Sequence, residues 1–355
     1  MKILQLNFEK GWRGGERQTL YCMRAFRDAG HQVELLARAG APLAERAGAE
    51  GFTVHAVRNV PAQILWLARN GRRYDILHAQ TANTVTWAVL TKPLHRRPVA
   101  FSRRTSFVVK PNEEWKTGYK WRHVDLFVAI SDMAAQEPRR LGIEPVIIRS
   151  AVAPAAPDPE TLRRLTAEFK VPGKRIIATT CALIHDKDPI TMIRAVAELA
   201  RMRRDFVFVH FGAGGNEEAA AKALVQELGL HDTYLFAGFR KGVEAFYPAM
   251  DIFAMSSREE ALGSSVFDAF LQRVPVVSTD AGGLKESLAD GRGVLCPAED
   301  HHALAQGMAR LLDDDALREA VTSRAYDYVR AEHDVNEMGR RYLVQFERVL
   351  ARPQG

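Results

Sequence analysis

The sequence predicts an α/β protein built from two doubly wound domains. A chain of 355 residues is long for one hydrophobic core. Strand-like and helix-like segments alternate along both halves, and a proline cluster at 153–159 interrupts them. We therefore predict a first domain at 1–152, a linker at 153–174, a second domain at 175–334 and a terminal helix at 335–355. Ligands of such sheets commonly bind in a cleft between domains.

The first half begins with an apolar run that reaches the polar Glu9 and Lys10 without the long apolar centre of a signal peptide. A glycine loop and a helix at 16–29 follow. The predicted strands of this half lie at 2–6, 31–37, 53–57, 76–79, 99–102, 126–130 and 146–148.

The second half repeats the alternation after the proline cluster. Its predicted strands lie at 176–180, 206–211, 233–236, 252–255, 274–278 and near Val294. Its predicted helices lie at 190–201, 217–228, 264–272, 301–312, 314–332 and 335–352. Strands that alternate with helices in this way favour a parallel sheet.

The composition is that of an ordinary globular protein, with 47% hydrophobic and 26% charged residues. No apolar run approaches the roughly 18 residues of a membrane span, so we expect a cytoplasmic protein. Cys22, Cys181 and Cys296 stand among apolar neighbours without metal or redox spacing. We interpret them as buried reduced thiols.

The net charge of +6 is unevenly distributed, since residues 1–150 carry +11 and residues 151–355 carry −5. Aromatic and basic residues are densest at 92–122. This stretch has three interpretations: a solvated surface, a nucleic-acid site, or a surface for anionic lipid headgroups or a phosphorylated lipid-linked glycan. The acidic second half disfavours nucleic acid. We therefore predict the third interpretation, a surface for anionic lipid headgroups or a phosphorylated lipid-linked glycan.

The stretch 256–286 is typical of an anion site. Glu260 and Asp268 flank the run Gly263-Ser264-Ser265, where a loop becomes a helix. First-turn amides lack intrahelical partners and can bind phosphate oxygens, whereas the two acids can accept from ligand hydroxyls. The pattern therefore indicates a nucleotide-diphosphate sugar; the alternative is two solvated charges beside an ordinary helix start.

This stretch resembles the signature of family 4 glycosyltransferases, in which two glutamates flank a glycine-rich helix start. Asp268 replaces the second glutamate here. The resemblance implies the GT-B fold, with two doubly wound Rossmann-like domains, an interdomain cleft and a last helix that returns to the first domain. It also implies that Glu260 contacts the donor sugar, that the amides near Ser264 and Ser265 hold the diphosphate, and that Asp268 binds the ribose.

Three further segments resemble donor-binding parts of the family. Gly14 and Gly15 correspond to a glycine loop that faces the diphosphate, and Gly238 lies where backbone groups reach the base. Lys187 matches a diphosphate-binding lysine, so the resemblance assigns catalysis to Glu260 and Lys187. The arginine that most relatives carry five places earlier is replaced by Ala182.

The acceptor residues are predicted in the first domain. His78 lies in a segment that resembles a strand ending in His-x-His; a satisfied histidine at a strand end is equally compatible. Arg103 and Arg104 occupy the region where many relatives have a histidine, but a guanidinium cannot act as a base at neutral pH. We therefore predict that His78, Arg103 and Arg104 bind an anionic acceptor.

No metal and no cofactor beyond the donor are expected, because His185, His301 and His302 have no acidic partners at metal-ligand spacing. The predicted function is sugar transfer, with anomeric retention by resemblance, to a glycan or lipid-linked acceptor such as lipopolysaccharide core. The enzyme would dock peripherally on the inner face of the cytoplasmic membrane. A nucleotide-sugar 2-epimerase and a non-enzymatic nucleotide-sugar binder are the alternatives. The non-enzymatic binder stays open because Ala182 stands where most relatives have an arginine.

Overall fold

The alternating pattern of the sequence folds into two parallel β-sheets flanked by helices, in a computed structural model that describes residues 1–154, 158–169 and 172–352. The described chain divides into two units. Unit 1 contains Met1–Ala151 and residues 332–352, and unit 2 contains Val152–Ala331.

Unit 1 contains a seven-stranded sheet in the order β3-β2-β1-β4-β5-β6-β7, and all of its strand pairs are parallel. The chain order reverses between β1 and β4, so ligands are expected beyond the carboxyl ends of these two strands. The strands are β1 (Lys2–Asn7), β2 (Gln32–Arg38), β3 (Thr53–Val57), β4 (Ile76–Ala79), β5 (Val99–Arg103), β6 (Leu126–Ala129) and β7 (Val146–Ile147).

Helices connect these strands because parallel neighbours need crossover connections. They are α1 (Gly14–Asp28), α2 (Pro42–Ala49), α3 (Val60–Asn70), α4 (Ala82–Leu90), α5 (Lys92–His95), α6 (Glu114–Arg122) and α7 (Asp132–Arg140).

Unit 2 contains a six-stranded parallel sheet in the order β10-β9-β8-β11-β12-β13, which reverses between β8 and β11. Its strands are β8 (Arg175–Thr180), β9 (Phe206–Phe211), β10 (Tyr234–Gly238), β11 (Ile252–Met255), β12 (Val276–Thr279) and β13 (Val294–Cys296). Its helices are α8 (Pro159–Phe169), α9 (Pro189–Met202), α10 (Glu218–Glu227), α11 (Ser264–Leu271), α12 (Gly283–Leu288), α13 (His301–Asp313) and α14 (Asp315–Glu332).

In both units the hydrophobic core combines buried strand side chains with apolar side chains of the neighbouring helices. β9 is an almost continuous apolar run, and all six of its residues are buried, as expected for a central parallel strand.

Cys22 and Cys296 are buried, and all three cysteines are free thiols. Within the described ranges, no helix combines the length and the apolar character that a membrane crossing requires.

The predicted linker at 153–174 differs from the structure, because it contains α8. Leu165 and Phe169 of α8 are buried, and the Phe169 ring lies 5.5 Å from that of Phe211 and 6.3 Å from that of Phe246. The helix therefore packs as part of unit 2. Residues 155–157 of the proline cluster and residues 170–171 lie outside the described residues.

The last helix, α15 (Val335–Leu350), belongs to unit 1. It packs on α1 so closely that a Cβ at Gly339 would overlap the Ala25 side chain. The Tyr342 hydroxyl lies 2.7 Å from Ser102 Oγ, and the Phe346 ring is 5.5 Å from that of Phe26. A hydrophobic face and one buried hydrogen bond therefore fasten this helix. Residues 353–355 lie outside the described part.

The buried His210 of β9 makes the stability of unit 2 sensitive to acid. Burial lowers the pKa of His210 to about 4, although the Cys181 carbonyl accepts a hydrogen bond from its ring. In the unfolded chain the pKa is about 6.5. As the pH falls through this window, the unfolded chain takes up a proton that the folded chain does not, so stability falls, by about 3 kcal/mol in total near pH 4.

Urea unfolding between pH 7.5 and pH 4.5 measures this loss. The variant His210→Gln should show a flatter pH dependence than the wild type, whatever its absolute stability. His231→Gln is the matched control, since His231 is exposed. An unchanged pH slope in His210→Gln would contradict the prediction.

Candidate functional site

The two residues predicted to be catalytic lie after β8 and β11, where the strand order of unit 2 reverses. Lys187 ends the 3-10 turn His185–Lys187, and Glu260 lies in the loop before α11. The ammonium of Lys187 donates to Glu260 Oε2, and both side chains are largely buried. Residues from two separate sequence motifs thus form one ion pair.

Hydrogen bonds from the end of β11 hold the turn that carries Lys187. Ser256 Oγ donates to the carbonyl oxygens of Lys187, at 3.0 Å, and Asp188, at 2.8 Å. The amide of Arg258 donates to the Asp186 carbonyl over 2.8 Å, and Arg258 Nε donates to the Asp188 carboxylate over 2.8 Å. The position of the lysine backbone is therefore set by the neighbouring strand.

The helix start that was predicted to bind phosphate is formed as expected. Gly263 precedes α11 with φ 78°, a left-handed conformation that favours glycine, and it offers no side chain as a cap. Ser264, Ser265 and Asp268 are half-buried, whereas the core face of the helix is buried. The two serines and the aspartate are thus the more accessible residues of the first turns.

A glycine pair at the start of α12, Gly282 and Gly283, packs against the backbone of Glu260. The Gly283 amide donates to the Glu260 carbonyl over 2.8 Å. Gly282 has φ 52°, and a Cβ at this position would overlap the same carbonyl oxygen. A Cβ at Gly263 would overlap the Leu284 side chain and lie 3.6 Å from Glu260 Cγ. Close backbone packing that only glycine permits therefore places the Glu260 loop beside α11.

Gly238 lies at the end of β10, the edge strand of the unit 2 sheet. Its φ is 68°, and its carbonyl accepts from the Gly212 amide over 2.9 Å. The neighbouring side chain of Phe239 is exposed. β10, which carries Gly238, is thus two strands away from β8. The predicted contact of Gly238 with the donor is therefore independent of the ion pair between Lys187 and Glu260.

Unit 1 has a cavity of about 610 Å³ beyond the ends of β1 and β4. Gly15 lines this cavity near the start of α1, and Gly14 is the first residue of that helix. Glu16 is buried, and burial raises the pKa of its carboxyl group. The cationic side chains of the lining belong to Lys10, Arg13, Arg38, Arg103 and Arg104.

Arg104 lies in the cavity wall, as an anion-binding residue requires. It is half-buried, and its Nη2 and Nε donate to Gln80 Oε1 over 2.7 and 3.1 Å. Nη1 donates to Ser150 Oγ over 3.2 Å. Gln80 therefore orients this guanidinium.

Arg103 also lines the cavity, but its guanidinium is engaged by neighbouring groups, and its acceptor contact stays a prediction. Its side chain is buried between the rings of Phe107 and Trp121. Its Nε donates to the Thr105 carbonyl over 3.0 Å, and its Nη2 donates to the Phe107 carbonyl over 2.5 Å. Burial lowers the pKa of Arg103 to about 10. The guanidinium holds the loop after β5.

His78 is fully buried beneath the strand ends, and its acceptor contact stays a prediction. Its Nε2 lies 2.8 Å from Ser102 Oγ and its Nδ1 lies 3.1 Å from Gln5 Nε2. Burial, with a smaller effect of Arg104, holds the pKa of His78 well below its ordinary value. These hydrogen-bond partners agree with the alternative of a satisfied histidine at a strand end.

Sequence reasoning missed several residues of the cavity. Lys10 and Arg13 follow β1, and Arg38 ends β2, so the rule that ligands bind beyond strand ends could have found them. Gln63 of α3 has no such signal. It is fully buried in the lining, and among the described residues neither of its amide atoms has a hydrogen-bond partner.

The sequence has no acid at metal-ligand spacing from His301 and His302, but the fold brings one beside them. Glu198 of α9 lies beside both histidines of α13. Glu198 is about a hundred positions from the two adjacent histidines in the sequence, so only the packing of the two helices brings them together.

Each of the two units is matched by a known protein family. Residues 12–161 match the family described as Glycosyltransferase Family 4, and residues 165–328 match Glycosyl transferases group 1. A 2-deoxystreptamine glucosyltransferase of Streptomyces kanamyceticus is 33% identical over 58% of this chain and 55% of that protein. The chain thus spans about half the length of that relative.

A lipopolysaccharide core biosynthesis mannosyltransferase of Rhizobium leguminosarum bv. viciae, LpcC, is 27% identical over 75% of this chain and 76% of that protein. Among solved structures, HepE of Anabaena, in complex with UDP and glucose, has a TM-score of 0.86 at 19% identity, covering 98% of this chain and 99% of that chain. With family matches over residues 12–161 and 165–328 and two parallel α/β sheets, this chain belongs to the family 4 glycosyltransferases and has the GT-B fold.

Proposed function

We propose that this protein transfers a sugar from a nucleotide-diphosphate sugar to a glycan or lipid-linked acceptor, with retention at the anomeric carbon. The observation that carries the proposal is the contact between Lys187 and Glu260 beside the start of α11. HepE was solved with UDP and glucose, and LpcC is named for lipopolysaccharide core synthesis. These names indicate the donor and acceptor classes.

The donor site follows from the chemistry of these groups. An ammonium has three N–H donors, so Lys187 can hold the Glu260 carboxylate and still donate to diphosphate oxygens. The second oxygen of Glu260 can accept from sugar hydroxyls. Asp268 lies about 6 Å along the helix axis from Ser264, which suits an acceptor for ribose hydroxyls while the first-turn amides bind phosphate.

Catalysis then depends on positioning and on stabilising the charge of the leaving diphosphate. Lys187 and the dipole of α11 supply positive charge, so we propose that no metal is needed. The departing diphosphate takes the proton of the attacking hydroxyl on the same face of the sugar, and that geometry retains the anomeric configuration. Gly14, Gly15 and Gly238 stay predicted donor contacts.

The basic cavity of unit 1 is the proposed acceptor site. Its four more accessible cations are Lys10, Arg13, Arg38 and Arg104, against Glu9 and the buried Glu16. An acceptor that bears phosphate or carboxylate groups suits this charge. Lipopolysaccharide core, on which a relative acts by name, is an acceptor of this class.

Two experiments test the proposed function. A thermal-shift screen identifies the donor, because a ligand at a hundred times its Kd stabilises a protein by about 2.7 kcal/mol. Incubation of that donor with anionic glycan acceptors should then give a product whose anomeric configuration is read by NMR. An epimerised sugar from donor alone, or donor binding without any product, would overturn the proposal.

The stretch 92–122, with Leu90 just before it in the sequence, presents what we call the docking surface, which we propose binds anionic lipid. Six large apolar side chains are exposed on α4, α5, α6 and the loop before α6, and Trp115 is 69% exposed. Exposed basic residues, such as Lys116, are interleaved with them. The apolar members are Leu90, Leu94, Phe107, Val108, Trp115 and Tyr119. Apolar insertion combined with basic charge favours the inner face of the cytoplasmic membrane.

Cosedimentation with vesicles checks this docking. Lys116→Ala should weaken binding to vesicles rich in anionic lipid about fivefold, since one basic residue near the surface contributes about 1 kcal/mol. Trp115→Ser should weaken it further, whereas Leu65→Ser, an exposed apolar residue of α3, should not. Equal binding to neutral and anionic vesicles would contradict the prediction.

A further inference from the structure

Two helices of unit 2 bring together three side chains that can ligate a metal. Glu198 lies on α9, and His301 and His302 are the first two residues of α13. One ligand atom from each lies within 4.8 Å of the others. His302 Nδ1 is in ion-pair contact with Glu198 Oε2, and His301 Nε2 lies 4.0 Å from the same oxygen.

Rigid elements hold this cluster. Val196 of α9 and Leu304 of α13 are fully buried in one hydrophobic core, so the helices cannot slide freely past each other. The Asp300 side chain accepts from the Ala303 amide over 2.9 Å and fixes the first turn of α13. The rings of His301 and His302 lie 4.1 Å apart. Small side-chain rotations are therefore enough to bring the three ligand atoms together.

The ligand set selects the class of metal. Imidazole nitrogens suit zinc, copper and nickel, whereas calcium and magnesium require oxygen ligands. Tetrahedral zinc, with bonds of about 2.0–2.1 Å, places its ligand atoms about 3.3 Å apart. The largest separation in the cluster, at most 4.8 Å, needs to shorten by no more than about 1.5 Å to meet this geometry. Two nitrogens and one oxygen leave one position for water.

We propose that Glu198, His301 and His302 bind a late first-row divalent cation of the Zn²⁺ type, which links α9 to α13. Glu198 is nine residues beyond Pro189, about 14 Å along the helix from the turn that carries Lys187. The site is therefore distinct from the donor site and does not depend on the proposed transferase activity. Its effect is on the stability of unit 2.

Isothermal titration of the untagged protein with ZnCl₂ tests this site. We expect one ion per chain, a raised Tm with Zn²⁺ and no response to Mg²⁺. Glu198→Gln, His301→Ala and His302→Ala should each weaken binding at least tenfold. His231→Ala is the matched control, because that histidine is also exposed and lies beside an acid, Asp232.

Two further readouts make the assignment specific to these ligands. Bound Co²⁺ should give the intense visible absorption of a low-coordinate site in the wild type and not in His302→Ala. Zn²⁺ affinity should fall between pH 7.5 and pH 5.5, because protons compete for imidazole nitrogens. Absence of saturable binding, or equal binding by the wild type and the three variants, would overturn the proposal.

Discussion

Replacing Glu260 with glutamine, or Lys187 with alanine, is expected to lower turnover at least about a hundredfold, the scale of losing one preorganised electrostatic stabiliser. Glutamine keeps the shape of Glu260 but loses the charge that pairs with Lys187. Alanine at position 187 removes the ammonium from the diphosphate. Turnover at saturating donor, measured on variants with a native-like circular dichroism spectrum, checks the result.

Matched controls separate this effect from a change of surface charge. Glu259→Gln alters the adjacent exposed acid, and Lys222→Ala removes an exposed lysine of α10. Both should keep near-native turnover. If Glu260→Gln and Lys187→Ala also keep it with the true substrates, the assignment of the donor site is wrong.

The direct contact between the two residues adds a second expectation. Groups that act as one unit are not additive, so the variant lacking both Lys187 and Glu260 should be little slower than the slower single variant. Fully additive losses would show that the two residues act independently, despite their ion pair.

Gly282→Ala is expected to have the next largest effect, on both stability and turnover. Gly282 has φ 52°, and its Cβ would overlap the Glu260 carbonyl, so the loop that carries Glu260 must move. Backbone strain of this kind costs about 1–3 kcal/mol. Displacing the carboxylate by about 1 Å can reduce turnover about a hundredfold. Urea unfolding and initial rates measure the two effects.

Gly229→Ala is the control for strain without displacement. Gly229 also has a positive φ, of 64°, but a Cβ there meets nothing within 4 Å. It should lose stability by about 1 kcal/mol and keep its turnover. A Gly282→Ala variant that keeps full turnover would contradict the role of the glycine pair.

Hydrophobic periodicity was sufficient for most of the fold. The predicted strand 252–255 coincides with β11, and the predicted helix 264–272 differs from α11 by one residue. Such segments depend on local pattern, which the sequence contains in full. α8 was missed because the neighbouring prolines led us to predict a linker there. Its apolar residues Leu162, Leu165 and Phe169 nevertheless recur at helical spacing.

Side-chain accessibility was the weakest part of the prediction. His78, Arg103 and Arg104 were predicted as one acceptor set, yet only Arg104 lines the cavity without being buried. Ser102 and Arg103 are adjacent in sequence, but their exposure depends on α15 and Trp121, which pack against β5 from distant parts of the chain. A local sequence pattern does not indicate which distant residues will cover a side chain.

The sequence by itself determined the two α/β sheets, the glycine-bounded start of α11 and the motifs that carry Glu260, Asp268 and Lys187, because these depend on residue type and short spacing. Only the tertiary structure decided which of these groups meet. Lys187 bonds to Glu260 across 73 residues of chain, and Glu198 meets His301 and His302 between two packed helices. Such contacts arise because strand order and helix packing bring distant segments together, and pairwise spacing along the chain does not encode that arrangement.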